Sequence, residues 1–193
     1  MSPRIGLDLP TILQKAIELI DQHGHDQLTL GKLAKELNIR TPSLYNHVDG
    51  LDGLKQQLAI HGLKKLYHAM AQAVIGRSGD NAIRLLSNAY VQFARTHPGL
   101  YEAIFQFSDP HDSELQQAQH TVVQLVMQVL NEYGLEEEMA LHMVRGLRSI
   151  LHGFTSIEQM GGFQMPLEID KSLTILIDTF IQGIHSLIEQ EGK

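Results

Sequence analysis

The chain has 193 residues, 43% of them hydrophobic and 19% charged, which is enough for one domain or two small ones with a core. It contains no cysteine, and this excludes disulfides, thiolate nucleophiles and cysteine-ligated zinc or iron–sulfur centres. The formal net charge of −7 is unevenly spread: residues 1–67 hold eight Lys/Arg against seven Asp/Glu, and the remainder holds seven against fifteen, so the acidity sits in the second part.

The opening stretch MSPRIGLDLP has no apolar run of the kind a secretory leader carries. No stretch approaches the roughly 18 consecutive apolar residues of a membrane span, so a cytoplasmic protein is expected. Helical periodicity then dominates. Ile12, Leu13, Ala16, Ile17 and Ile20 draw the apolar stripe of a first helix, with Asp8 as its cap, Pro10 in its first turn and Gly24 as its stop. TLGKLAKELNI is a second helix capped by Thr29, burying Leu30, Leu33, Ala34 and Leu37 and ending at Asn38. A short third helix follows, with Thr41 as cap, Pro42 in the first turn, and Leu44 and Val48 one turn apart on its inner face. HVDGLD ends it, and a long fourth helix is predicted from about Leu51 to Ile75.

Further stripes run over Ala82–Ala94, Val122–Tyr133, Met143–Phe154 and Leu173–Ile188, punctuated by GRSGD, THPG, SDPHDS, YGLEEE and GGFQMP. The pattern predicts an all-α protein of about nine helices, with no strand and no internal repeat. It divides into an N-terminal three-helix domain at 1–50 and a helical C-terminal domain at 51–193, linked by the long fourth helix.

Two short helices joined by a tight turn form a helix-turn-helix unit, which lays its second helix in the major groove of DNA. The side chains of that second helix suit the task. Thr41 and Ser43 offer hydroxyls beside Pro42, and Asn46 can read a base edge through two hydrogen bonds. The Tyr45 hydroxyl and the His47 ring can reach phosphate. Arg40, in the turn, can grip guanine or phosphate, Thr29 is placed to touch the backbone, and Lys55 is a candidate phosphate clamp.

The stretch LTLGKLAKELNIRTPSLYNHVDGLDGLKQQLA resembles the N-terminal domain of TetR/AcrR-family transcriptional regulators, and GLDLPTILQKAIELIDQHG is similar to that family's first helix. The resemblance covers nearly all of residues 3–60. It implies a dimeric repressor that reads DNA with its first three helices and binds a small molecule in a variable helical C-terminal domain. One departure stands out. The family often carries a phosphate-contacting lysine at the start of the fourth helix, where this chain has Leu51 and Gly53, with Lys55 slightly later. Arg4, in the SPRIGL arm, is a further cation that can compensate. AYVQFARTHPGLYEAIF and RSILHGFTSIEQMGGF resemble the WHG-type C-terminal domain found in some members, although this chain has no tryptophan and carries Arg148 near that place.

In the C-terminal part Tyr90, Phe93, His97, Tyr101 and Phe105, with Phe107, Met143 and His152, are candidates to line a mostly apolar effector cavity; filling the core is the competing role for each. Gly153, inside a long apolar helix, suggests a close helix crossing or a bend beside that cavity. No two of the eleven histidines stand at i, i+4 spacing with a carboxylate nearby, so no metal site is expected. The wide stripes of the last two helices, about 136–160 and 168–190, predict a homodimer surface.

The expected function is a ligand-responsive regulator that binds a palindromic operator of double-stranded DNA as a homodimer and is released by a small molecule. The alternative is a helical small-molecule- or metal-binding protein or enzyme. Against it, the chain carries no Glu-x-x-His pair, no His-x-x-x-His, no phosphate-cradling glycine loop and no G-x-S-x-G, so neither a cofactor nor an enzymatic activity is expected.

Overall fold

The computed structural model describes residues 7–191; Arg4 lies outside them. Among the described residues the chain forms eight α-helices: α1 (Leu9–His23), α2 (Leu30–Glu36), α3 (Gly50–Val74), α4 (Gly79–Thr96), α5 (Pro98–Gln106), α6 (Ser113–Leu130), α7 (Glu137–Gln159) and α8 (Ile169–Glu191). A six-residue 3-10 helix at Thr41–Asn46 is the ninth, besides two 3-10 turns of three residues each, and no strand occurs among these residues. The all-α expectation is met.

Local signals account for most boundaries. The Asp8 carboxylate accepts from the Thr11 amide at 2.9 Å, and Pro10 sits in the first turn of α1. Gly24 closes that helix at φ 80°. The Thr29 hydroxyl accepts from the Lys32 amide at 3.2 Å and caps α2. Asn38 follows α2 with φ 53°, the left-handed conformation that asparagine tolerates better than most residues.

The third helix differs from the expectation. Thr41 is not its cap: Arg40 holds that position, with no side-chain capping bond, and Thr41–Asn46 winds as a 3-10 helix. Short segments are where 3-10 winding is most often used, and Pro42 fits its first turn, where an amide would have no helical partner. The tighter winding is anchored instead by the Ser43 amide on the Arg40 carbonyl at 2.9 Å and the His47 amide on the Leu44 carbonyl at 2.9 Å.

The helices pack into two compact units, Met1–Lys64 with His97–Gln116, and Lys65–Thr96 with Gln117–Lys193. In the first unit α1 packs on α2, α2 packs on the 3-10 helix, and α1 packs more extensively still on α5. Ile12, Ala16, Leu33, Leu44, Leu54 and Leu58 are among its fully buried residues. In the second unit α4 packs on α7 and α8. There Ala82, Ile83, Leu86, Val91, Leu147, Leu151, Leu173, Ile177 and Ile181 are buried.

Polar bonds tie this second unit together. Arg95 of α4 bonds Glu158 of α7 and Asp170 of α8, and Arg84 of α4 bonds Asp178 of α8 at 2.7 Å. Asp80 accepts from the Tyr133 hydroxyl at 2.7 Å and lies 2.9 Å from the His185 ring nitrogen. The close crossing expected at Gly153 is not found: a Cβ added there would meet nothing within 4 Å. The α7 glycine nearest a neighbouring helix is Gly146, whose added Cβ would lie 3.5 Å from the Phe180 ring.

Candidate nucleic-acid interface

Leu44 and Val48 are 0% and 5% exposed and root the 3-10 helix in the first unit. With those positions turned inward, Tyr45 and Asn46 must face out, and Tyr45 is 59% exposed. The buried pair on either side holds the Tyr45 ring in solvent, with its hydroxyl available to a partner. Arg40 and Pro42 are exposed, and Thr41, Ser43 and His47 are half-buried, so the segment presents hydroxyl, amide, imidazole and guanidinium groups over two turns. The Asp8 carboxyl is held below the ordinary carboxylate range by the Thr11 hydroxyl and amide, with a smaller electrostatic contribution from His47.

Thr29 is exposed, but its hydroxyl is engaged in capping α2. Lys55 lies half-buried in the second turn of α3, with Asp52 exposed in the first turn. Lys32, Lys35 and Gly31 of α2 are exposed as well. Lys32 and Lys35 add positive charge, with the Lys32 ammonium bonded to the Gln27 side chain. Gly31 has open space where a Cβ would stand and no positive φ to require it. The clustering of lysines in the first 67 residues was the signal for the first two; Gly31 had none.

The residues proposed for an effector cavity fall in both units. Tyr90 and Phe93 on α4, buried, and Met143 and His152 on α7, half-buried, belong to the second. His97, Tyr101 and Phe105 belong to the first, where the Tyr101 and Phe105 rings meet edge-on at 5.1 Å. Burial, and secondarily the Arg148 charge, lowers the proton affinity of His152 below that of an ordinary histidine. A depression of about 170 Å³ in the connection between α7 and α8 is lined by Phe163, Met165, Leu167 and Ile169. No sequence signal pointed to it. Among the described residues no three His, Asp or Glu side chains are grouped to hold a metal, and no helix is long and apolar enough to cross a membrane.

Comparison with known proteins decides what this scaffold belongs to. Residues 83–180 match the family profile described as the tetracyclin repressor-like C-terminal domain, a span that takes in both C-terminal stretches quoted above. The chain belongs to the TetR family. Over 185 residues it is 43% identical to the uncharacterized HTH-type transcriptional regulator YobS of Bacillus subtilis strain 168, covering 95% of this chain and 96% of that one. It is 33% identical to the uncharacterized HTH-type transcriptional regulator Rv0681 of Mycobacterium tuberculosis, over 93% of this chain and 82% of the relative. The fold is shared with a protein of unknown function from Rhodococcus sp. RHA1, at TM-score 0.82 and 23% identity, covering 95% of this chain and 98% of the other. It is shared too with a TetR of Acinetobacter baumannii AYE in complex with minocycline, at TM-score 0.71 and 18% identity over 94% and 98%. The likeness to YobS, over 95% of this chain, extends through the helix-turn-helix unit, which the profile match does not reach.

Proposed function

We propose that this TetR-family chain is a DNA-binding transcriptional regulator, a repressor acting in the cytoplasm as a homodimer on a palindromic operator and released by a small molecule. The observation that carries the reading is the exposed pair Tyr45–Asn46 on a 3-10 helix rooted by buried Leu44 and Val48. In a helix-turn-helix unit that is the position from which side chains reach base edges. Arg40, Thr41 and Ser43, beside Pro42, flank the pair as candidate contacts to bases or phosphate, and Thr29, His47 and Lys55 as candidate contacts to the backbone. The functional division assigned is 1–50 for reading DNA and 51–193 for regulation and dimerisation.

Support for the dimer comes from α7 and α8. Leu141, Ile157, Ile175 and Leu176 are large apolar side chains left exposed, and Gly183 sits on an exposed position of α8 where an added Cβ would meet nothing. A second copy packing about a two-fold axis would bury these groups in a four-helix bundle. Support for an effector comes from the C-terminal helices of the matched profile, where Tyr90, Phe93 and Met143 are apolar candidates and His152 is a polar one.

The test is selection of bound sequences from a random DNA pool by the purified protein, followed by affinity measured against salt on the enriched duplex. A palindromic duplex with a steep salt dependence is expected. No enrichment, before and after unfolding and refolding to strip bound molecules, removes the reading.

A further inference from the structure

Helix α5 belongs by chain position to the regulatory half, yet it packs into the first unit, and the contact is built at one residue. The Asp21 carboxylate, in the last turn of α1, accepts from the Gly99 amide at 2.8 Å and the Leu100 amide at 3.3 Å. These are amides that the first turn of a helix leaves without partners. His97 holds the cap position of α5 and makes no side-chain capping bond, so α5 is capped from 78 residues away. Beside this, the His25 ring donates from Nε2 to the Gly99 carbonyl at 2.6 Å. His25 is buried, and its Nδ1 has no partner among the described residues, so the Gly99 bond alone orients the ring.

Gly99 allows the approach. An added Cβ there would lie 2.7 Å from the Ile20 carbonyl carbon and 2.8 Å from the Asp21 nitrogen, both backbone atoms that cannot swing aside. On the other side of α5, Gly62 of α3 passes so close that its added Cβ would meet Ile104 Cγ1 at 2.9 Å and the Leu100 carbonyl oxygen at 3.1 Å. The Gln56 side chain bonds Asp112, and the Lys64 ammonium meets Glu114 at 2.8 Å, so the far end of the 97–116 segment is fastened to α3.

We infer that Asp21 and His25 are positioning residues for DNA binding: by gripping Gly99 they fix α5 against α1 and set how the Thr41–Asn46 segment is presented. The inference rests on the DNA-binding reading above. The path is contiguous and packed at each step, α5 on α1, α1 on α2, α2 on the 3-10 helix.

The experiment compares wild type with Asp21→Ala, Asp21→Asn and Gly99→Ala on two probes, the duplex that wild type enriches and a scrambled duplex of equal length and composition. Asp21→Ala and Gly99→Ala are expected to lose about tenfold in affinity for the enriched duplex and to keep wild-type affinity for the scrambled one. Asp21→Asn, whose amide oxygen accepts from the same two N–H groups, recovers most of the loss. Wild-type affinity of both variants for the enriched duplex overturns the inference, and so does an equal loss on both duplexes, which reports only less folded protein. Should Asp21→Ala not fold, His25→Phe carries the same expectation. A second readout needs no DNA: amide hydrogen exchange over residues 41–48 of the free protein is expected to quicken in the variants, and unchanged exchange overturns the proposal even if wild type enriches no duplex.

Discussion

The guanidinium of Arg95 meets the carboxylate of Glu158 through two hydrogen bonds, Nε to Oε2 at 2.9 Å and Nη2 to Oε1 at 2.7 Å. Both side chains are mostly buried, 23% and 18% exposed, and the paired acids hold the guanidinium charged by raising its already high proton affinity. Nη2 also reaches Asp170 at 2.7 Å. Removing the cation leaves the Glu158 carboxylate poorly solvated. Arg95→Met is expected to lower the unfolding free energy by about 2 kcal/mol, between the values for surface and fully buried pairs. Asp170→Asn, at a largely exposed position, should shift it by less than about 0.5 kcal/mol. Urea titration of the two variants checks the ranking.

Asp80 supplies a pH dependence. The Tyr133 hydroxyl, and secondarily His185, hold its carboxyl below the ordinary carboxylate range, while burial and Asp80 push the Tyr133 phenol upward. A depressed folded-state value means that the stabilisation is complete above the unfolded value, near pH 4, and is lost as pH falls through the folded one. The stability difference between wild type and Asp80→Asn should therefore be constant above about pH 5 and shrink below about pH 4. Thermal unfolding of both proteins across pH 3 to 7 measures it, and a difference that grows toward acid contradicts the assignment.

Tyr45→Ala and Asn46→Ala change exposed side chains, so each should leave the unfolding free energy within about 0.5 kcal/mol of wild type. Each should weaken binding to the enriched duplex, by about 1–3 kcal/mol if the side chain reads a base. Leu44→Ala is the contrast: it empties a fully buried position and should cost about 2–5 kcal/mol of stability. Equal operator affinity of the two exposed variants and wild type would take those residues out of the interface.

On α8, Ile175→Asp and Leu176→Asp place charge on exposed apolar positions and should leave the subunit folded. If these positions are covered by a second copy, sedimentation should show a shift from dimer to monomer at micromolar concentration, because an unpaired carboxylate would be buried at the seam.

Gly153→Ala should raise stability by about 0.5–1 kcal/mol, since the added methyl meets nothing within 4 Å and the helix backbone loses less entropy on folding. Calorimetry on the variant checks this; a loss of stability would mean that something packs against that position in the assembled protein.

Much of the first unit was legible because its signals are local. Asp8, Thr29, Gly24 and Asn38 act on backbone groups within four residues of themselves, and the inward Leu44 and Val48 follow from spacing. The 3-10 winding of Thr41–Asn46 is not legible in the sequence because the apolar positions Leu44 and Val48 fit either helix type. The proposed effector residues were chosen by residue type along separate helices, and type says nothing about which unit a helix joins.

The sequence by itself determined the class, the number of helices, most of their ends and the outward face of Tyr45 and Asn46, since periodicity and capping are properties of a few consecutive residues. Tertiary structure alone decided that α5 returns to the N-terminal unit. That choice rests on Asp21, His25 and Gly99, whose partners lie more than seventy residues apart and whose fit depends on two backbones meeting where only a glycine leaves room.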